Sequence, residues 1–433
     1  VAVGESRPVC VVGAGVAGLL AARRLLERDL AVEVVERRPG LGGLWRYDPG
    51  YGGVYPSAHL ISSRHSTELP DFPMPAGYPD YPGHEQALAY LHAFAARYDL
   101  TEHITFGRSV RCARPVPAGG WEIEFDDGDR RDYAALVVAS GHHWDPRPAP
   151  VDPAGFDGTA LHSAGYRGPE VLAGARVLVV GLGNTACDVA VDAVNAGARV
   201  TLSVRGGAHV IPKYLLGLPA DQASNATPVS GLVARLPDRA RAAIEQRLIR
   251  RLAGAPEDFG LPRPDHRLYQ RQPLVSTLLP YHLGHGDIRV RPPVSALRAG
   301  TAHFADGSTE PADVVVWCTG YRVTVPFLDV RAVLGGDEQG RPRLWLNMFN
   351  PGRPDVVAVG LVDALGSWPV LDLQARLAAE HLRGVLHPAG GHPVPAPPGT
   401  WRPAAAVGPG PDRHWLFQGR WYARHLRQVL RRR

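Results

Sequence analysis

Twice in this chain a β-branched run feeds a Gly-x-Gly turn and then a helix-forming stretch. That doubling, with a proline-rich joint between the units, predicts an α/β fold of two Rossmann-like dinucleotide-binding domains carrying a helical insert. The first unit is Val9-Cys10-Val11-Val12 leading to Gly13-Ala14-Gly15-Val16-Ala17-Gly18, and the second is Val177-Leu178-Val179-Val180 leading to Gly181-Leu182-Gly183-Asn184-Thr185-Ala186. Four prolines fall between Asp145 and Pro153.

In the first unit, Gly13 and Gly15 allow a sharp turn and a close approach to a pyrophosphate, and Gly18 allows the following helix, about 16–26, to pack on its strand. The helix start supplies free N–H groups and the positive end of a dipole. The next strand, 32–35, ends in Glu36, where an acid meets a ribose diol. A glycine-rich loop over 40–53 follows, and its Gly42-Gly43-Leu44-Trp45 reads either as backbone passing close to a cofactor under a covering ring or as a turn pinned by a core tryptophan.

Prolines and aromatics alternate over 69–82, an insertion in the first domain, and a helix is expected over 86–97 with Leu88, Leu91, His92 and Ala95 inward. Trp121 to Phe125 and the Asp126-Asp127-Gly128-Asp129 turn predict a hairpin. A returning strand over 135–139 ends at Ser140-Gly141-His142-His143. The joint at 145–153 then divides a first domain, residues 1–145 and 322–433, from a second, 151–321.

In the second unit the strand 200–204 leads to Arg205, at almost the interval that separates Gly13 from Glu36. An acid repels a 2′-phosphate, whereas an arginine binds it through paired, charge-assisted hydrogen bonds, so NADP is expected over NAD. The other reading of Arg205 is an exposed strand-end cation. Residues 212–283 form the helical insert: Leu232, Val233, Leu236, Ala240, Ala243, Ile244, Leu248 and Leu252 recur at helical spacing, with arginines between them on what reads as a solvated face. Strands are expected at 288–290, 302–304 and 314–317, the last running into Cys318-Thr319-Gly320-Tyr321, an echo of Ala139-Ser140-Gly141. Val356 to Gly360 opens a third cofactor-facing segment.

Composition excludes several classes. With 45% hydrophobic and 21% charged residues over 433 positions the chain reads as a soluble protein of two or three domains, and no apolar run is long enough to span a bilayer. No secretory signal is visible at the N-terminus, so a cytoplasmic location is expected. The net charge of +5 comes with arginines spread among the acids and one lysine, Lys213; no basic patch interleaved with aromatics points to nucleic acid. Cys10, Cys112, Cys187 and Cys318 are scattered without a C-x-x-C pair, and no metal site is expected.

Between the two glycine turns stands Phe156-x-Gly158-x-x-x-His162-Ser163-x-x-Tyr166. Together with Gly42-Gly43-Leu44-Trp45, the Asn184 after the second turn, Ser203-Val204-Arg205, Cys318-Thr319-Gly320-Tyr321, Leu346-Asn347-Met348-Phe349 and Gln374-Ala375-Arg376, it resembles the flavin-containing monooxygenases over nearly the whole length. Alone, His162 reads as a hinge histidine satisfied by backbone; in this company it marks the interdomain hinge. The resemblance implies FAD in the first unit and NADPH in the second. It also implies oxygenation of a small molecule at nitrogen, sulfur or an electron-rich carbon through a C4a-hydroperoxyflavin, with O2 as co-substrate. The sequence leaves the oligomeric state open, a homodimer being one assembly it allows. Carried onto this chain, its cofactor contacts are Gly13, Gly15, Gly18, Glu36, Gly43, Leu44, Trp45, Val110, Gly141, His162, Gly181, Gly183, Asn184, Thr185, Ser203, Arg205, Thr319, Gly320 and Gln374.

One departure bears on the chemistry. The family's Asn in a Thr-Asn or Ser-Asn pair, beside flavin and nicotinamide, aligns without gaps to Ile61 in His59-Leu60-Ile61-Ser62-Ser63-Arg64. Ser62, and after it Ser63, are the polar substitutes and the candidate catalytic residues. Two other readings follow: a Baeyer-Villiger monooxygenase, and an NADPH oxidase or reductase that passes electrons without oxygen transfer.

Overall fold

The frame consists of two predominantly parallel sheets. The structure, a computed structural model, describes residues 7–48, 53–117, 119–226, 236, 238–335, 344–363, 366–386 and 417–431. The first sheet orders its strands Phe349–Asn350, Arg353–Ala358, Ala135–Val138, Val9–Val12, Val32–Glu36 and Ile104–Phe106, parallel except at the outermost pair. The second orders Ile288–Arg291, Arg199–Ser203, Arg176–Val180, Val314–Trp317 and Thr159–His162, parallel throughout. Central strands such as Val9–Val12, Ala135–Val138 and Val314–Trp317 are wholly buried. A parallel sheet covered on both faces requires such unbroken apolar runs.

The two sheets repeat one plan. In each, the glycine-turn helix, Val16–Leu26 or Asn184–Asn195, returns the chain to a parallel neighbour. In each, a three-stranded antiparallel flap precedes the strand that comes back to the centre. Val110–Pro115, Trp121–Phe125 and Arg130–Tyr133 do so before Ala135–Val138; Val294–Arg298, Thr301–Phe304 and Thr309–Pro311 do so before Val314–Trp317. The two chain crossings between the sheets lie side by side, Asp145–Pro146 pairing antiparallel with Tyr321–Arg322 under an Arg322–Asp145 ion pair of 2.8 Å.

The helix Val16–Leu26 packs on Trp368–Leu386, and their contact includes a buried ion pair, Arg24 Nη2 to Asp372 Oδ1 at 2.6 Å. Asp71 and Glu27 complete the arginine's shell, so its donors are satisfied away from water. The Gly18 expectation holds in detail: a Cβ there would stand 1.7 Å from the Gly13 carbonyl oxygen.

Two expectations are corrected. The helix His84–Arg97 buries Ala87, Tyr90, Leu91, Phe94 and Ala95, leaving His92 exposed and Leu88 half-buried. Tyr90 and Phe94 choose that face by packing their rings on Phe72, which an aliphatic count alone overlooks. The insert is not simply helical: it holds a short hairpin, Tyr214–Leu215 with Leu218–Pro219, and the helices Ala220–Ala226, Asp238–Ala253 and Leu278–His285. Moreover, Ile244, Leu248 and Leu252 face outward at 43%, 49% and 47% exposure, while the adjacent Ile249 packs inward with Ile211 and Leu268. Leu232 and Val233 lie outside the described residues.

Gly18→Ala should destabilise the protein by about 1–3 kcal/mol, the ordinary range for a methyl forced into a filled space. Denaturant unfolding measures it, and an unchanged midpoint would mean that the helix stands off the turn.

Candidate functional site

Both glycine turns are closed on one side and open on the other. Gly13 has φ +106°, and a Cβ there would meet the Ala139 carbonyl oxygen at 2.7 Å; Gly181 has φ +129°, and its Cβ would meet the Cys318 carbonyl oxygen at 2.4 Å. Side chains are therefore excluded by the neighbouring central strand. Gly15 and Gly183, in contrast, have ordinary extended backbone and precede the helices as caps without any side-chain hydrogen bond. A Cβ on Gly183 meets nothing within 4 Å, and one on Gly15 meets only the Gly43 backbone, nearest at 3.5 Å. Each helix thus begins with free N–H donors in a cradle of backbone, an arrangement that takes phosphate oxygens. The residues present fit a dinucleotide in both places.

The strand ends differ as expected in charge, and the structure adds their contacts. Glu36 is buried, its Oε2 accepting from the Ala14 N–H and its Oε1 from the Arg38 N–H, both at 2.8 Å. The acid is thereby drawn onto the turn itself. Arg205 lies exposed two residues beyond Ser203, whose carbonyl accepts from the Gly181 N–H at 3.0 Å, and it has no hydrogen bond or ion pair among the described residues. The Ser203 hydroxyl is taken up by protein, accepting from the Val294 N–H at 2.9 Å and donating to the Pro292 carbonyl at 3.0 Å.

The remaining candidates surround the crossings and the glycine loop. Gly43, Leu44 and Trp45 form a single helical turn facing Gly15, and the Trp45 ring packs against the cores of both sheets. Val110 opens the first flap. Gly141 and Gly320, at φ +74° and +82°, let the chain leave each central strand, and the Thr319 hydroxyl donates to the Arg147 carbonyl at 3.3 Å. His162 has both ring nitrogens on backbone: Nδ1 accepts from the Ala164 N–H at 3.0 Å, which leaves Nε2 to donate to the Gly320 carbonyl at 3.1 Å. Burial lowers its pKa, so the neutral ring ties strand to crossing. Asn184 Oδ1 accepts from the Val275 N–H at 2.8 Å. Thr185 follows it on the same helix. Gln374 is wholly buried, accepting from the Gly360 N–H at 3.0 Å and donating to the Tyr422 hydroxyl at 2.7 Å. It holds the Gly360 turn against Ala17, within 3.0 Å of a Cβ placed there.

Ser62 and Ser63 are buried, and their hydroxyls turn to protein. Ser62 Oγ is 2.8 Å from Thr67 Oγ1; Ser63 Oγ reaches Ser66, and the Ser63 N–H donates to Asp221 Oδ2 at 2.7 Å. Ile61 between them and Leu60 is half-buried.

Sequence reading missed a second set of residues that joins the two units. Asp188 and Asp192, one turn apart on the helix after Gly183, accept from hydroxyls of the first unit: Tyr55 to Asp188 Oδ2 at 2.7 Å and Ser57 to Asp192 Oδ2 at 2.5 Å. Tyr166, at the end of the hinge motif, donates to the same Asp192 oxygen at 2.9 Å. The i, i+4 spacing of the two acids was the available signal. Burial pushes the Asp188 carboxyl up to about 6 against the stabilising Tyr55 hydrogen bond.

Two backbone cradles in one chain, one followed by an acid and one by a base, define a protein of the two-dinucleotide-binding class. Within that class the chain belongs to the flavin-binding monooxygenase-like family, whose model matches residues 6–391. It is 32% identical over 398 residues to dimethylaniline monooxygenase (N-oxide-forming) 2 of Rattus norvegicus, covering 88% of this chain and 74% of the relative. Among solved structures it is similar to S-allyl-L-cysteine S-oxygenase from Allium sativum, with a TM-score of 0.62, 22% identity, and coverage of 88% of this chain and 77% of that one. It is also similar to ε-caprolactone-bound cyclohexanone monooxygenase, with a TM-score of 0.69, 18% identity, and coverage of 89% and 88%. These two likenesses concern the fold. The protein is an FAD- and NADPH-dependent monooxygenase. Among the described residues no helix is long and apolar enough to cross a membrane.

Because the folded protein keeps the Asp188 proton to about pH 6, while an unfolded aspartate releases it near pH 4, this group's contribution to stability is complete below the lower value and is lost as pH rises to the upper one. Asp188→Asn should therefore gain stability relative to wild type between those values and keep a constant difference above them. Urea unfolding of both proteins across that range tests it, and a pH-independent difference would place Asp188 at an ordinary carboxylate pKa.

Proposed function

We propose that this enzyme oxygenates a small molecule at a nucleophilic sulfur or nitrogen, with residues 1–145 and 322–433 holding FAD and 151–321 holding NADPH. The observation that carries the reading is the pair of uncapped helix starts, each in a backbone cradle, with Glu36 after one and the unpaired Arg205 after the other. When bound, the flavin takes hydride from NADPH and activates O2. The chain's part is to bind, orient and exclude water. The free N–H groups after Gly15 and Gly183 take the pyrophosphates; Trp45, packed on both cores, covers the gap between the units; and Gln374 fixes the Gly360 turn over the first helix. Ser62 and Ser63 act as positioning residues that hold the 61–63 segment through Thr67, Ser66 and Asp221. Nitrogen and sulfur are favoured because one relative is named for N-oxide formation and one structural neighbour for S-oxygenation.

A second reading draws on Ile61, which offers no hydrogen bond where the inward-turned serines offer none either: an NADPH oxidase that releases peroxide. Anaerobic reduction with NADPH followed by ¹⁸O-labelled oxygen and a thioether or tertiary amine separates the two. Label in the product supports the oxygenase, and stoichiometric peroxide without labelled product supports the oxidase.

Gly15→Val should yield protein that folds without FAD, since its backbone is ordinary and its side chain would project into the cradle. Full flavin content in the purified variant would move the pyrophosphate elsewhere. Arg205→Ala should raise the KM for NADPH far more than that for NADH, by about 1.5–3 kcal/mol for one lost charge-assisted contact. Equal weakening of both coenzymes would make Arg205 structural.

A further inference from the structure

We propose that Lys213 recognises a carboxylate on the molecule that is oxygenated, so that the substrate class is a small organic acid carrying a nucleophilic sulfur or nitrogen; this rests on the oxygenase reading above. Lys213 is the one lysine of the chain, and the remaining basic residues, 47 counted together with it, are all arginine. A composition that replaces lysine everywhere else retains it at one half-buried position, where a compact ammonium and a guanidinium fork are not interchangeable.

The backbone at this position is held from both units. Its N–H donates to Thr277 Oγ1 at 3.0 Å, and its carbonyl accepts from the Ala220 N–H at 2.9 Å and from the hydroxyl of Tyr81, which belongs to the first unit. The side chain lies over the Tyr81 ring, with Nζ 5.0 Å from its centre. Asp221, next to the Ala220 that donates to the Lys213 carbonyl, accepts from the Ser63 N–H of the 61–63 segment that the resemblance sets beside the flavin.

The surrounding carboxylates each accept from another donor, and of their oxygens Asp221 Oδ1 is buried without a partner. Asp188 accepts from Tyr55, Asp192 from Ser57 and Tyr166, Asp221 from the Ser63 N–H, and Asp80 from the Tyr214 hydroxyl at 3.1 Å. His59 Nδ1 faces the Ser57 carbonyl at 2.8 Å. Among the described residues the Lys213 side chain has no hydrogen bond and no carboxylate within ion-pair distance. Asp188 acts on it only from beyond that distance, partly offsetting the lowering of its pKa by burial. An ammonium carries three donors, and a partly desolvated one without an anion in contact is costly. A ligand carboxylate supplies the missing acceptor and is held at the joint between the units.

The single lysine makes the test direct. In holoenzyme grown with lysine carrying ¹³C at Cε, one side-chain resonance reports this ammonium. Methylthiopropanoate should shift that resonance saturably and raise its titration midpoint, whereas methylthiopropanamide, of the same shape and without the charge, should do neither. In turnover, Lys213→Met should lower the acid-to-amide ratio of kcat/KM at least tenfold, and Lys213→Arg should retain part of it; flavin content and unfolding midpoint report whether each variant folds. If Lys213→Met does not fold, the wild-type titration decides. A resonance that ignores the acid overturns the proposal, and oxygenation of both probes with equal efficiency in wild type and variant does the same while leaving the oxygenase reading intact. A saturable shift by the acid with no labelled oxygen in either probe upholds the carboxylate site and overturns the oxygenase reading instead.

Discussion

Two carbonyl oxygens, those of Ala139 and Cys318, exclude any side chain from the glycine turn opposite each, and the fold grows outward from that exclusion. Because Gly13 and Gly181 take positive φ at van der Waals distance from the returning strand, each helix must start immediately above the centre of its sheet. The same returning strands then leave through Gly141 and Gly320, so the two crossings between units emerge beside the turns and pair with each other. One packing constraint, applied twice, places each glycine turn at the strand ends of its own sheet, beside the crossings that join the units. Ligands in open α/β sheets bind at such strand ends for this reason.

The contact between the units is mixed. Trp45, Tyr47 and Val54 extend the apolar core of the second sheet, while hydroxyls of Tyr55 and Ser57 donate to carboxylates on the helix behind it. Apolar contact gives adhesion without direction, and the hydroxyl-to-carboxylate bonds supply direction and register. His162 adds a third kind of tie, its neutral ring joining the end of one strand to the exit of its neighbour. The two units are therefore held against each other by groups that lie outside both glycine turns.

Much of the frame was legible in the sequence because it is local. The bounds of the helix Val16–Leu26, the strand ending at Glu36, the echo between Ala139-Ser140-Gly141 and Cys318-Thr319-Gly320, and the exchange of Glu36 for Arg205 all follow from residue types at short spacing. Glycine turns and β-branched runs carry their conformation with them. The family motifs extended that reading across nearly the whole chain.

What only the tertiary structure decided are the places where a residue's partner lies far along the chain. Ile244, Leu248 and Leu252 have the spacing of a core face yet point outward, because Ile211 and Leu268 meet the next face of that helix. Ser62 and Ser63 were singled out in sequence as polar substitutes, but Thr67, Ser66 and Asp221 claim their hydrogen bonds. Lys213 stood out in sequence only as the single lysine; the fold left its ammonium without a carboxylate in ion-pair contact among the described residues. Sequence determines local conformation through short-range sterics and burial period; which polar groups remain unsatisfied depends on every neighbour that folding brings within hydrogen-bond reach, and no local pattern encodes that set.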